Sequence, residues 1–161
     1  MDLAQYKEQV KLRRKDNTQF FKRLIALKPR VLDRLIHPIH SEVFECTNCL
    51  KCANCCTTTG PLFTDRDISI IAKYLRIKPS KFTEEYLRVD EDKDYVLRSV
   101  PCAFLGDDNR CSIYDVRPKA CKEFPHTDRK KQYQLLDLTK RNMEICPAVF
   151  NIIEKLKVNL K

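Results

Sequence analysis

Apolar side chains recur at intervals of three and four residues through the first 45 positions, the spacing at which residues share one face of an α-helix. Pro29 and Pro38 are expected to divide this stretch into separate helices, because proline lacks the amide hydrogen that a helix needs. The pattern predicts an N-terminal helical segment built on Tyr6, Val10, Phe20, Phe21, Leu24, Ile25, Leu27, Val31, Leu32, Leu35 and Ile36.

Two more helices are predicted in the next cysteine-free part of the chain. In the run LFTDRDISIIAKYLRI, Thr64 is a candidate N-cap, and Asp65 and Asp67 stand in the first turn, where the helix dipole favours anions. The apolar stripe of this helix is Ile68, Ile71 and Leu75. The second helix is expected to start at Ser80 and to run through Phe82, Tyr86 and Leu87.

After residue 94 the pattern changes to short segments rich in β-branched and aromatic residues. YVLRSV predicts a strand, and CAFL and CSIY predict a hairpin around the turn GDDN, flanked by Cys102 and Cys111. The remaining chain predicts a helical turn at DVRPKACKEF, a strand at YQLLDL and a C-terminal amphipathic helix. That last helix begins near Pro147 and uses Val149, Ile152, Ile153 and Leu156.

These elements predict an α+β fold, a mostly helical small domain with a short β-hairpin that is organised around cysteine metal sites. We expect residues 1–45 to form a basic helical extension packed on the domain. Residues 46–161 are expected to form the cysteine-cluster metal-binding domain.

The composition is that of a folded, helix-rich chain, with 2 glycines, 8 prolines and a charged fraction of 33% among 161 residues. No stretch approaches the roughly 18 apolar residues that a membrane span requires. The N-terminus, MDLAQYKEQVKLRRKDN, has no apolar core of a secretory signal. We therefore expect a cytoplasmic protein without a membrane partner.

The feature that changes this picture is the presence of 9 cysteines. In a reducing compartment such thiols do not persist as structural disulfides, and an odd number fits complete pairing poorly, so metal or cluster ligation is the remaining common explanation. The run FECTNCLKCANCC repeats the Cys-x-x-Cys spacing, in which a tight turn aims two sulfurs at one ion. An eight-thiol set can be divided into two four-ligand sites: Cys49, Cys52, Cys55, Cys56, Cys102, Cys111, Cys121 and Cys146.

The spacing suits two kinds of centre. Four thiolates in a tetrahedral array hold zinc. Three ligands at this spacing with a distant Cys-Pro, here Cys146-Pro147, are also similar to the way ferredoxin-type chains hold a [4Fe-4S] cluster. The adjacent pair Cys55 and Cys56 is expected to diverge, because neighbouring side chains on an extended or turning chain point apart.

The formal charge of +9 suggests that the protein binds nucleic acid, an acidic partner or an anionic membrane surface. Ligation changes that count, since two Cys₄ zinc sites would add about −4 and one [4Fe-4S] cluster about −2. We therefore expect thiolate charge to offset much of the apparent basicity.

Four motifs follow one another along the chain: CxxCxxCC at 49–56, PCxFL at 101–105, CSIYxxRPxxCxxFP at 111–125, and CP at 146–147. In this combination the chain resembles the YkgJ-type cysteine-cluster family over roughly residues 44–150. The resemblance implies a zinc- or iron-chelating domain whose ligands are the eight cysteines named above, with Cys46 extra. Ala53 stands where the family usually has glycine, which implies a less strained turn.

A protein that binds zinc or an iron–sulfur cluster, with a redox, metal-handling or interaction role, is the leading hypothesis. A cluster-dependent enzyme, either lysine N-methylase-like or an oxidoreductase, is the alternative, because a flagellin lysine methylase belongs to the wider family. The lack of a G-x-G-x-x-G loop disfavours methyl transfer. A zinc-supported nucleic-acid-binding module is a second alternative, motivated by the charge and disfavoured by the scattered aromatic residues.

Overall fold

The computed structural model describes residues 2–160, and it shows the predicted mostly helical α+β fold. The α-helices are α1 Leu3–Leu12, α2 Arg14–Ile25, α3 Pro29–Glu45, α4 Cys49–Cys52, α5 Asn54–Thr58, α6 Asp65–Tyr74, α7 Pro79–Tyr86, α8 Lys119–Glu123, α9 Leu136–Met143 and α10 Pro147–Asn159. The strands are β1 Leu62–Phe63, β2 Leu87–Val89 and β3 Tyr95–Leu97, and short 3-10 helices cover Tyr114–Val116 and Gln132–Gln134. None of the helices within residues 2–160 has the length and apolar character needed to cross a membrane.

Contacts divide the chain into two compact units. The first unit comprises Met1–Asn48 and Pro125–Lys161, and the second comprises Cys49–Phe124. The N-terminal helices therefore share a unit with α9 and α10. The domain boundary expected after residue 45 stays a prediction, because a compact unit need not fold by itself.

The first unit is a helical assembly around one apolar core. The buried face of α3 packs on α10, whose Val149, Ile152, Ile153 and Leu156 are fully buried as the spacing predicted. Tyr6 of α1 is also buried, and its hydroxyl donates to the carbonyl of Met143 at 2.7 Å. The α3 face that closes this core consists of Leu32, Ile36, Ile39 and Val43.

The predicted break at Pro38 is wrong, because α3 continues through this proline from Pro29 to Glu45. A proline inside a helix costs about 3 kcal/mol through a lost hydrogen bond and a steric clash. Ile36 and Ile39 flank Pro38 and are both buried in the core. Burying two such side chains contributes about 3–6 kcal/mol, enough to keep the helix whole. The predicted break at Pro29 is confirmed, since this proline opens α3 at the first helical turn.

The predicted strand at YQLLDL is also wrong. Residues 132–134 form a 3-10 turn, and α9 follows from Leu136 to Met143. The buried positions include Leu136, Thr139 and Met143, and their spacing of three and four residues is helical. Packing against the first unit's core therefore decides the conformation of a segment whose short apolar run suits either element.

The second unit contains a three-stranded antiparallel sheet with the order β1-β3-β2. The predicted strand in YVLRSV is confirmed as β3, and it pairs with β2 through Leu97 opposite Leu87. The predicted hairpin between residues 102 and 114 is wrong in its extent, because only one β-bridge forms there, joining Leu105 to Cys111. Gly106 N–H donates to the Arg110 carbonyl at 2.8 Å and closes this turn.

Aromatic residues form much of the core of the second unit. Phe82 of α7 is fully buried, and its ring centroid lies 6.0 Å from that of Phe63 and 6.1 Å from that of Phe104. Because Phe104 stands between Cys102 and Cys111 in the chain, its burial anchors the loop that carries both thiols.

Asp67 joins two helices of the second unit. Its carboxylate accepts the backbone N–H and the hydroxyl of Thr64, and with the predicted N-cap Thr64 it forms a capping box at the start of α6. The other carboxylate oxygen accepts the N–H of Lys119, the first residue of α8, at 3.1 Å. Burial raises the pKa of Asp67, but these hydrogen bonds and the charge of Lys122 outweigh it and hold the pKa below its ordinary value.

We expect Asp67→Asn to lower the free energy of unfolding at neutral pH by about 1 kcal/mol, because one capping acceptor is lost. The folded-state pKa is depressed, so this stabilisation is present above the ordinary value of 3.8 and is lost as pH falls through the folded pKa. Urea unfolding of both proteins at neutral and acidic pH measures the difference. Asp65→Asn, which changes the neighbouring first-turn carboxylate, is the matched control, and a difference that stays constant with pH would contradict this assignment.

Candidate metal centre

The first four thiols lie on two very short helices. Cys49 and Cys52 are the end residues of α4, and Cys55 and Cys56 lie in α5. Ala53 separates the helices, with φ 43° and ψ 13° in the left-handed region. A single left-handed residue thus lets the chain turn between two Cys-x-x-Cys segments.

The expectation that Ala53 makes this turn less strained is wrong. Ala53 is buried and keeps the left-handed conformation that glycine adopts without cost. A side chain in this region costs about 1–2 kcal/mol, because its Cβ approaches the carbonyl oxygen too closely. The turn therefore carries strain that a glycine at this position would remove.

The sulfurs of Cys55 and Cys56 do not diverge as expected. Their Sγ atoms lie 3.9 Å apart. Two thiolates bound to one tetrahedral zinc ion at about 2.3 Å are separated by about 3.8 Å. The adjacent pair is therefore spaced as two ligands of a single ion, because both residues lie in a helical turn rather than on an extended chain.

Two hydrogen bonds attach the later cysteine loop to this first run. The backbone N–H of Cys102 donates to the Cys56 carbonyl at 2.8 Å, and the Asn109 side-chain amide donates to the Leu50 carbonyl at 2.8 Å. Asn109 occupies a left-handed turn position, which asparagine tolerates. Sequence analysis placed Asn109 only in a turn, because no local signal marks a contact 59 residues away.

Backbone amides point at the sulfurs of this loop. The backbone N–H groups of Phe104 and Leu105 lower the pKa of Cys102, that of Ile113 lowers the pKa of Cys111, and Leu105 N–H also donates to the Cys102 carbonyl at 3.0 Å. Hydrogen bonds of this kind favour the thiolate form and tune metal–sulfur centres. Burial nevertheless dominates and raises the pKa of both thiols.

Cys121 is carried by α8, and Arg117 lies just before that helix. Burial and the charges of Cys56, Cys102 and Cys111 raise the pKa of Cys121 to about 12, while the Arg117 guanidinium lowers it. The Arg117 guanidinium also lies 3.8 Å from the centroid of the Tyr114 ring and donates to the Tyr114 carbonyl at 2.8 Å. The stacked ring and this bond hold one cation beside the thiols.

Seven thiols of the second unit form one electrostatic cluster, which we call the thiol cluster: Cys49, Cys52, Cys55, Cys56, Cys102, Cys111 and Cys121. Cys56 is at its centre, since its sulfur contacts that of Cys55 and its charge acts on four others. The contact with Cys55, then burial, raises the pKa of Cys56. Partial burial of its sulfur likewise raises the pKa of Cys49, although that residue is exposed as a whole.

The other two cysteines belong to the first unit. Cys146 caps α10, is half-buried against the core of that unit, and donates its N–H to the Asn142 carbonyl at 2.8 Å. Its role as the eighth ligand stays a prediction. Cys46 follows α3 directly and is exposed.

The donor set of the thiol cluster suits a soft or borderline metal, because thiolates select zinc and iron–sulfur centres. Within residues 2–160, no three Cys, His, Asp or Glu side chains are arranged to hold one ion. Metal–sulfur bonds of about 2.3 Å would therefore draw the thiols inward from these positions.

Formal charge is divided unequally between the two units. The second unit has 13 lysines and arginines against 12 aspartates and glutamates, a net +1. The first has 18 against 10, a net +8. The side chains of the second unit thus supply little net positive charge for its own thiolates.

We expect Ala53→Gly to raise the free energy of unfolding of the metal-free protein by about 0.5–1 kcal/mol. Glycine removes the left-handed strain, and part of this gain is offset by the greater entropy of glycine in the unfolded chain. Urea unfolding measures the change. Ala120→Gly within α8 is the matched control and should lose about 1 kcal/mol; a loss of similar size for Ala53→Gly would contradict the strained turn.

Comparison with known proteins identifies a family and curated relatives of this chain. A family model described as "Putative zinc- or iron-chelating domain" matches residues 48–147, a range that contains the thiol cluster and Cys146 and leaves Cys46 outside. An uncharacterized protein of Methanocaldococcus jannaschii is 34% identical over 83 residues, which cover 50% of this chain and 44% of that protein. The match thus spans less than half the length of this curated relative. No solved structure matches the chain. Because the family model covers more than half of the chain, this protein belongs to the CxxCxxCC family of zinc- or iron-chelating domains.

Proposed function

We propose that this protein binds zinc through the thiolates of its thiol cluster. The observation that carries the proposal is the 3.9 Å separation of the Cys55 and Cys56 sulfurs, which matches the distance between two ligands of one tetrahedral zinc ion. Seven sulfurs exceed the four that one such ion requires, so the cluster has enough ligands for thiolates shared between two ions.

The structure around the sulfurs supports this proposal. The chain segments that carry Cys56 and Cys102 are joined by a backbone hydrogen bond. The loop that follows Cys102 is anchored by Phe104, whose ring packs on Phe82 in the apolar core. These contacts restrict the backbone before any metal binds, which lowers the entropy that ordering the ligands would cost.

Zinc would supply the positive charge that a group of buried thiolates requires. Each thiol must lose its proton to bind, so loading releases protons and weakens as the pH falls. A zinc ion with four thiolates has no open position, and its role is to hold chain segments together rather than to activate water. We therefore propose a structural or metal-handling role, with the backbone amides of Phe104, Leu105 and Ile113 and the Arg117 guanidinium stabilising thiolate charge.

The test is metal analysis of the full-length protein purified without oxygen. We expect at least one zinc ion per chain by mass spectrometry and no visible absorption from a cluster. Bound iron with cluster absorption would contradict the assignment of zinc as the metal. It would still support a metal site built from these thiolates, since the family description allows iron as well as zinc. A folded protein with no bound metal would contradict the function as a whole.

Serine variants assign the ligands. We expect Cys56→Ser and Cys121→Ser to reduce the bound zinc by at least half, because each removes a thiolate within the cluster. Cys46→Ser is the matched control and should leave the zinc content unchanged, since Cys46 is exposed and lies outside both the thiol cluster and the matched family region. Cys146→Ser tests the eighth ligand separately. Equal losses in Cys46→Ser and Cys56→Ser would show that the metal is not held at this site.

A further inference from the structure

The thiol cluster contains one sulfur fewer than two separate tetrahedral zinc sites require. A zinc ion held only by cysteines takes four thiolates, so two separate ions take eight. The second unit provides seven, because Cys46 and Cys146 both belong to the first unit. A single ion would leave three of these sulfurs without a metal. Seven sulfurs complete two tetrahedral sites only when one sulfur binds both ions, and that sulfur must lie between two groups of three.

Cys49, Cys52 and Cys55 form the first group of three, which we call the motif group. They follow one another at intervals of three residues along α4 and α5, and residues three apart in a helical turn are neighbours. The charges of Cys52 and Cys56 both act on Cys49. The Sγ of Cys56 lies 3.9 Å from that of Cys55. Cys56 therefore completes a set of four neighbouring sulfurs within the CxxCxxCC run.

Cys102, Cys111 and Cys121 form the second group of three, which we call the loop group. The loop that begins at Cys102 folds back on itself through the β-bridge between Leu105 and Cys111. Cys121 is carried by α8, and the charges of Cys102 and Cys111 both act on it. The charge of Cys111 also acts on Cys102. Tertiary structure thus gathers three sulfurs that are far from the CxxCxxCC run in the sequence.

Cys56 connects the two groups. Its sulfur contacts Cys55 of the motif group, and its backbone carbonyl accepts the N–H of Cys102 in the loop group at 2.8 Å. Its charge acts on Cys49 and on all three sulfurs of the loop group. A thiolate sulfur has more than one lone pair and can therefore bind two metal ions at once. Cys56 has the position that a shared ligand requires.

We propose that the thiol cluster holds two zinc ions that share the sulfur of Cys56. One ion binds the motif group and Cys56, and the other binds the loop group and Cys56. This inference rests on the proposed zinc function and adds to it the number of ions and the ligands of each. Cys146 is then not needed to complete either site, in agreement with its position half-buried against the core of the first unit.

The test counts zinc in the full-length protein purified without oxygen, then replaces the zinc with an NMR-active cadmium isotope. We expect about two zinc ions per chain. We also expect two cadmium resonances that split each other, because scalar coupling between the metals passes through a shared sulfur. One ion per chain, or two resonances without splitting, would overturn the shared sulfur and leave zinc binding in place. A protein without bound metal would overturn the proposed function itself.

Serine variants assign ligands to each ion. Cys49→Ser should remove one cadmium resonance and Cys111→Ser the other, and the remaining signal should lose its splitting in both. Cys56→Ser should shift or remove both resonances, because it takes a ligand from each ion. Circular dichroism checks that each variant folds, and Cys52→Ser and Cys121→Ser repeat the test at a second ligand of each ion. Loss of the same resonance in Cys49→Ser and Cys111→Ser would overturn the proposed division.

Cys146→Ser distinguishes a shared sulfur from two separate sites with eight ligands. We expect this variant to keep both ions and the splitting, since the seven thiols of the second unit suffice. Cys46→Ser is the matched control, because Cys46 is the other cysteine of the first unit and is exposed. Loss of one ion in Cys146→Ser, with both ions kept in Cys46→Ser, would show that Cys146 is a ligand and would overturn the proposal.

Discussion

Burial of thiols close to one another is the constraint that governs the chemistry of the second unit. Each of Cys102, Cys111 and Cys121 is made harder to ionise by burial and by the charges of other cysteines, and the pKa of Cys121 reaches about 12. Arg117 and the backbone amides offset only part of that repulsion. A cation shared by several sulfurs removes it directly, because it favours every thiolate at once. Without a cation the raised pKa values favour the neutral thiols, and a bound cation favours the thiolates.

The scaffold that brings these sulfurs together does not itself consist of metal–sulfur bonds. The second unit has an aromatic core, a three-stranded sheet and hydrogen bonds between segments that are distant in the sequence. Asp67 is one such link, since the same carboxylate caps α6 and binds the first residue of α8, the helix that carries Cys121. Side chains outside the cysteine motifs thus position the thiols, and a change in one of them can disturb the centre without removing a ligand.

The formal charge is divided unequally between the two units. The second unit, with the thiol cluster, has a net side-chain charge of +1, and the first unit has +8. A single overall charge of +9 hides this division, because it adds a nearly neutral unit to a strongly basic one.

The sequence by itself determined the features that depend on local spacing. The N-cap at Thr64, the helix that starts at Pro147 and the clustering of Cys-x-x-Cys motifs follow from interactions among residues a few positions apart, and the structure confirms the two helices. Tertiary packing decided the rest. Burial of Ile36 and Ile39 carries α3 through Pro38, and burial of Leu136 and Met143 makes a helix of a segment that suits a strand. The 3.9 Å contact of the Cys55 and Cys56 sulfurs and the left-handed Ala53 depend on a helical turn that spacing alone does not reveal. The hydrogen bond from the Tyr6 hydroxyl to the Met143 carbonyl is likewise invisible in the sequence, because it joins residues 137 positions apart that only the folded core brings together.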